Sequence, residues 1–318
     1  MLTNFRNRTL IAAVLTLGIA RIAAAQADVG TRASGMAGAF VAVADDATAV
    51  YWNPAGVGTG SLLSVVLDAG RFRLGAVPQG VANEEDTSAI VALSATAVGL
   101  GYYRLGTYGI STVEPAGMRP QSREEVLRSV HALTTSTVGV SLVHSLGEHI
   151  VVGVTPKLVH GDGELAGDVD AGLIAWVDRF RVGLVARNLT TPAFAEATAG
   201  KPGEGEEIEL QREVRIGGAW GSGWTGISRV VVSVDGDVVS RATPAGDRRD
   251  IAAGLETWWM SQRIGLRGGV RRSTIGEARA AVAAGISAGL KPGMLVEAHI
   301  MRGRGEERSW SVGARMTF

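Results

Sequence analysis

Alternation with a period of two runs through this chain in stretches of about ten residues, and few folds are compatible with it. At the end of the chain Trp310, Val312, Ala314, Met316 and Phe318 alternate with Ser309, Ser311, Gly313, Arg315 and Thr317, so one face is continuously apolar. Residues 263 to 271 repeat the pattern, with Ile264, Leu266, Gly268 and Val270 set against Arg263, Gly265, Arg267, Gly269 and Arg271. Successive side chains of a strand point to opposite faces, so each stretch reads as a strand that is apolar on one side and polar on the other. Strands of this length and pattern build transmembrane barrels.

The same reading along the chain gives fourteen strands, at 61–74, 87–95, 97–108, 132–144, 149–160, 166–177, 179–190, 207–221, 225–238, 249–260, 262–272, 278–290, 293–302 and 307–318. The charge-free run from Thr87 to Tyr103 is too short and too polar for a spanning helix and reads as two strands and a turn. The connections alternate. Those at 75–86, 109–131, 191–206 and 239–248 are long, and those at 161–165, 273–277 and 303–306 are of medium length. Those near Thr96, at 145–148, at Asp178, at 222–224, at Ser261 and at Lys291-Pro292 are short. Barrels with short periplasmic turns and longer external loops keep this rhythm, whereas the crossovers of a sandwich scatter their long loops. The expected fold is therefore all-β, a 14-stranded antiparallel transmembrane β-barrel with both ends on the periplasmic side.

Composition agrees once the faces are separated. There are 31 basic and 31 acidic residues, and the expected lumen side collects both signs. It carries Arg187, Arg215, Glu256, Arg263, Arg267, Arg271, Glu297 and Arg315, together with Lys157, Asp168, Asp170, Arg181, Glu213, Asp235, Asp237 and His299. Opposite charges on neighbouring strands neutralise one another in a polar interior. Trp176, Trp220, Trp224, Trp259 and Trp310 fall near strand ends, where amphipathic rings suit a membrane interface. Glycine, at 44 of 318 residues, is about twice its usual share and fits curved, closely approached strands.

The start of the chain has the layout of a secretory signal peptide. Arg6 and Arg8 precede an apolar run from Leu10 to Ala20, and small residues end at Ala25, where cleavage is expected. No cysteine follows to carry a lipid anchor. The chain then divides into a signal peptide (1–25), a non-alternating glycine- and alanine-rich segment (26–60) and the barrel (61–318). In that segment Asp46 or Thr48 suits a helix cap and Pro54 marks a boundary, and its compactness suits a plug inside the lumen.

The run Gly35-Met36-Ala37-Gly38-Ala39-Phe40-Val41-Ala42-Val43-Ala44-Asp45-Asp46, followed by Ala49-Val50-Tyr51-Trp52-Asn53-Pro54-Ala55-Gly56, resembles the N-terminal signature of the FadL and PorV/PorQ outer-membrane barrel families. Further echoes at Asp170–Leu173, Val185–Leu189 and Arg212–Gly217 point toward the PorV-like branch, and Phe318 is similar to the aromatic C-terminal signal read by the outer-membrane insertion machinery. The resemblance implies an N-terminal hatch in the lumen, set in the outer-membrane lipid. It implies either a channel for hydrophobic small molecules or a PorV-like partner of secretion-system proteins. The external loops are shorter than the FadL pattern, which weakens fatty acid as the ligand. The expected gating residues are Gly35, Asp45, Asp46, Trp52, Asn53 and Pro54. The acids would meet lumen arginines such as Arg263, Arg267 and Arg315, and the Asn-Pro turn would fix the hatch at the first strand.

Other chemistries find little support. Neutral net charge argues against a nucleic-acid partner, and the lack of cysteine removes thiolate sites. His131, His144, His149, His160 and His299 have no zinc-motif spacing, and Ser141 and His144 face opposite sides of one strand. The expectation is a non-enzyme without cofactor or metal.

Overall fold

The computed structural model describes residues 22–26, 28–73, 86–110, 130–195, 207–225, 228–243, 247–276 and 279–318. Most of the expected signal peptide lies outside these, but Ile22–Gln26 forms a short strand, β1. The wall begins with β2 (Leu63–Arg73), β3 (Asp86–Ala95), β4 (Val98–Ile110), β5 (Val130–Ser145), β6 (Ile150–Gly161), β7 (Glu164–Val177) and β8 (Phe180–Arg187). After the short strands β9 (Ala193–Ala195) and β10 (Glu207–Glu209) it continues with β11 (Glu213–Thr225), β12 (Ser228–Asp237) and β13 (Asp250–Trp259). It ends with β14 (Ile264–Ser273), β15 (Ala280–Lys291), β16 (Met294–Gly303) and β17 (Arg308–Thr317).

Strands β2–β8 and β11–β17 form one closed antiparallel barrel of fourteen strands. Strand β8 pairs with β11, and the ring closes where β17 meets β2, from Arg308 opposite Arg73 to Thr317 opposite Ser64. Phe318 N–H donates to the Leu63 carbonyl at 2.9 Å, and Leu63 N–H returns a bond to the Phe318 carbonyl at 3.3 Å. The expected run from Thr87 to Tyr103 is indeed two strands, β3 and β4, joined at Thr96-Ala97.

The structure shortens three of the expected features. Between β6 and β7 the connection is Asp162-Gly163, not a medium loop, because both residues adopt positive φ (46° and 80°), the geometry of a tight hairpin turn. Strand β8 stops at Arg187 because Asn188 turns into the left-handed region at φ 55°, before the expected end at 190. The expected strand 207–221 is interrupted at 210–212, leaving β10 in the long connection, where it pairs with β9 and β1.

Along each wall strand the buried residues alternate with exposed aliphatics such as Val138, Leu158, Ile300 and Val312. No described part of the chain covers this outer apolar face, which is the pattern of a barrel whose outside solvent is hydrocarbon. Trp310 stands on it, 46 % exposed. Trp176 does not, since it turns inward onto Ala55, Val151 and Ile174 and meets the His149 ring edge-on at 6.2 Å.

Residues 28–60 lie inside the barrel. They form helix α1 (Thr31–Gly35), helix α2 (Ala49–Trp52) and a 3-10 helix (Pro54–Thr59), almost wholly buried between 29 and 57. Phe40, Tyr51 and Trp52 pack edge to face, and Tyr51 meets Tyr103 of β4 at 5.2 Å. The segment reaches the wall at glycines. A methyl group at Gly269 would overlap the Met36 backbone, and one at Gly172 would overlap the Asn53 side chain. Wall glycine is thus a seat for the backbone of the inner segment.

Candidate functional site

The segment from 28 to 60 carries one base, Arg32, against the acids Asp28, Asp45 and Asp46. Arg32 sits on α1, and the chain between α1 and α2 folds back so that Asp45 and Asp46 face it. The guanidinium pairs with Asp45, with Asp46 at 3.0 Å and, through Nε, with Glu256 of β13 at 2.7 Å. Burial opposes its charge, but Asp45, Glu256 and Asp46 together hold its pKa well above the usual arginine value.

From there the charges close into a ring. Glu256 accepts from Arg267 of β14 at 2.9 Å, and Arg267 reaches Glu297 of β16 at 2.8 Å. Glu297 accepts from Arg315 of β17 at 3.1 Å, and Arg315 returns to Asp46 at 3.4 Å. Three arginines and three carboxylates therefore alternate, two members from the inner segment and four from the wall. Ser287 bridges Arg267 and Glu297, and Trp258 donates to Glu256 at 2.7 Å while Arg267 and Arg315 lie against its ring. All six charged members are buried.

A second set holds the aromatic part of the segment from the long-loop end. Arg187 lies over the Tyr51 ring at 4.3 Å and pairs with Glu213, while Arg215 lies 5.7 Å from the Trp52 ring and pairs with Asp237 at 2.9 Å. Arg271 binds Asp28 at 2.6 Å and Glu307 at 2.7 Å. Burial works against the Asp28 carboxylate, yet Arg271, Arg215, Arg241 and Arg187 outweigh it and hold the pKa below the usual range.

Hydrogen bonds from backbone and uncharged side-chain donors complete the attachment. Asp235 accepts from the backbone N–H groups of Phe40 at 2.6 Å and Val41 at 2.7 Å. Asp68 of β2 accepts from the Thr31 N–H at 2.8 Å and from its hydroxyl. Asp46 also accepts from the Thr48 N–H at 3.0 Å, a local turn that precedes α2, whose first turn receives no side-chain cap from the expected Asp46 or Thr48. Trp52 donates to the Val29 carbonyl at 2.8 Å.

Several expected positions fall elsewhere. Arg263 is exposed in the turn between β13 and β14 and joins no charge network among the described residues, because it sits where that strand pair has already ended. Arg267 meets the ring through Glu256 and Glu297 and not through the acids of the segment. The Asn-Pro turn is fixed to the middle of the wall, not to its first strand. Asn53 donates to the Leu173 carbonyl of β7 at 3.2 Å and to the Val41 carbonyl at 2.9 Å, and Pro54 lies against Gly153 of β6. Gly35 backs onto Gly285 of β15. Phe318 is exposed at the barrel's end. Arg32, Thr31 and Asp68 were missed, although a lone base among three acids was a readable signal for Arg32.

Among the described residues the nearest approach to a catalytic array is Ser311, whose hydroxyl is 2.7 Å from His299 Nδ1. A carboxylate, Asp68, stands on the hydroxyl at 3.4 Å and not on the far ring nitrogen, which faces Ser309 at 3.1 Å. A triad needs its acid on the imidazole, so this group is a link between wall and segment. No group of metal-ligating side chains forms among the described residues. Below the segment, toward the short-turn end, lies a cavity of about 540 Å³ bounded by Val43, Asp45, Thr59, Trp176, Arg181 and Arg229.

Comparison with solved structures places this architecture. The chain superposes on the CymD monoaromatic hydrocarbon channel with a TM-score of 0.62 at 12 % identity, covering 95 % of this chain and 98 % of that one. The fold is that of the FadL-type channels. The Pseudomonas putida toluene transporter TodX gives 0.56 at 10 % identity over 91 % and 98 %, and a Pseudomonas aeruginosa FadL homologue gives 0.56 at 10 % over 94 % and 100 %. The closer likeness to the PorV branch expected from the sequence has no support among these structures. A family model described as the F plasmid transfer operon TraF protein matches residues 161–237, a stretch of wall from β7 to β12 that holds all three of the PorV-like echoes. No curated protein sequence matches the chain.

Proposed function

We propose that this chain is an outer-membrane channel that passes hydrophobic small molecules, with residues 1–25 removed on export and residues 26–60 acting as a hatch. The observation that carries the reading is the non-covalent closure of the FadL-type barrel by its own N-terminal segment, through the ring of Arg32, Asp46, Glu256, Arg267, Glu297 and Arg315. Asp45, Asp46, Trp52, Asn53 and Pro54 then work as the fastening, and Gly35 as a seat. Asp45 lies at the boundary between Arg32 and the lower cavity, so releasing that pair connects the interior with space on the periplasmic side. The neighbours named for monoaromatic hydrocarbon and toluene make a small aromatic hydrocarbon the first substrate class to try.

Uptake decides the matter. The chain is expressed in a bacterium lacking its own hydrocarbon channel, and entry of labelled toluene is compared with entry of labelled glycerol. Faster toluene entry with unchanged glycerol entry is expected, and the Asp45→Ala/Asp46→Ala variant should alter the toluene rate while the barrel keeps its heat-modifiable gel mobility. A folded barrel that changes neither rate, or both equally, overturns the reading.

A further inference from the structure

The cavity between the inner segment and the short-turn end holds a positive charge that no carboxylate beside it matches. Asp45, Asp46, Glu256 and Glu297 outnumber Arg32, Arg267 and Arg315 by one. Arg181 of β8, which lines the cavity with Asp45 and donates to the Thr59 hydroxyl at 2.7 Å, makes up that difference. Asp178 and Arg179, in the turn between β7 and β8, offset one another at the cavity's edge. Arg229 of β12 is left over. It stands directly opposite Trp258 of β13 and two residues before the buried Val231, so alternation turns it into the lumen, where it is half-buried. It lines the same cavity, and among the described residues it makes no ion pair or hydrogen bond. The turn that precedes it supplies no acid, since residues 222–227 read Ser-Gly-Trp-Thr-Gly-Ile. Apolar surface comes from Val43 of the inner segment, from Val231 and from the inward-turned Trp176 ring.

We infer that Arg229 receives the carboxylate of a small aromatic acid in this cavity, with Arg181 as the second cation. Three features select that occupant. A half-buried guanidinium without an acid of its own favours a molecule that brings the missing negative charge. The arginine fork matches a carboxylate with two parallel bonds, and every donor of Arg229 is open to make them. The volume of about 540 Å³ lies in the range of small-molecule sites and far exceeds what an inorganic anion fills, while Val43, Val231 and the Trp176 ring suit a flat apolar body. The assignment rests on the channel reading, since the cavity is the space a molecule meets after passing the inner segment. It adds an aromatic acid to the neutral hydrocarbon as a substrate class of the same path.

Equilibrium binding tests the cavity and uptake tests the channel, so the two fail separately. A folded barrel that takes up no toluene fails the channel reading and leaves the binding result standing. Full-length protein in uncharged detergent is dialysed at neutral pH against labelled benzoate and, separately, against labelled benzamide, a neutral molecule of the same shape. Benzoate is expected to bind about tenfold more tightly than benzamide, the difference that one charge-assisted pair makes. Arg229→Gln should bring the two affinities together by weakening benzoate alone, and Arg229→Lys, which keeps the charge, should retain most of the preference. Unmodified protein that binds both molecules alike overturns the inference. So does an Arg229→Gln barrel of normal heat-modifiable mobility that still prefers benzoate. If that variant fails to fold, the comparison of the two molecules on the unmodified protein decides alone.

Discussion

Arg32 shows how much one side chain can be asked to do inside a closed wall. Its guanidinium satisfies carboxylates from its own segment and from β13, and two of these, Asp46 and Glu256, are shared with other ring members. Removing one member of a buried ion network is costly because it strands the opposite charges, whereas the intact network gains little over a well-packed apolar core. Arg32→Met should therefore loosen the segment by about 3–5 kcal/mol. The expected readout is a folded barrel with raised conductance in planar bilayers and protease cleavage near residues 45–60. An unchanged conductance trace would show that the ring is not the fastening. The sequence announced five of the six charges of this ring and the pairing of Asp46 with Arg315, but not Arg32. Arg32 and Glu256 are 224 positions apart, and only closure of the barrel brings them together.

At the scale of elements, wall strands and inner segment were legible to very different degrees. Strand positions follow from period-two alternation, which is local and survives any rearrangement of the rest. The two-residue turn at Asp162-Gly163 could also have been read, since Asp-Gly between alternating runs is a hairpin signal. The path of residues 28–60 had no such signature, because small residues pack against backbone and leave no period. Its trace was present instead in the wall, as the glycines at 172 and 269 on inward-facing positions. Gly269→Ala should push the Met36 backbone off β14 and cost about 1–3 kcal/mol, as overpacking does. Thermal unfolding in detergent checks this, and Gly268→Ala, with room around the added methyl, is the control that should change little.

At the scale of the molecule, the barrel inverts the usual arrangement of a globular protein. Charges fill its centre, and exposed aliphatics form its surface. The inversion is stable only if hydrocarbon surrounds it. Val312, in the middle of β17 and facing outward, tests the placement. Val312→Arg should destabilise the barrel in lipid by about 2–4 kcal/mol, the cost of arginine near a bilayer midplane. Chemical denaturation in vesicles measures it, and a negligible change would mean that this face does not meet lipid. The likeness of fold to the FadL-type channels was foreseeable from the N-terminal signature.

The joint between β17 and β2 has one further consequence. It is the wall contact that no turn or loop connects, and Thr31 bonds to both sides of it, to Asp68 on β2 and to Ser311 on β17 at 2.6 Å. The segment that stops the bore is thus also a rivet through the barrel's only open hem. A disulfide across that joint from Leu67→Cys and Ala314→Cys, which stand directly opposite one another, would relieve it of that second duty. Sealing and stitching could then be altered one at a time.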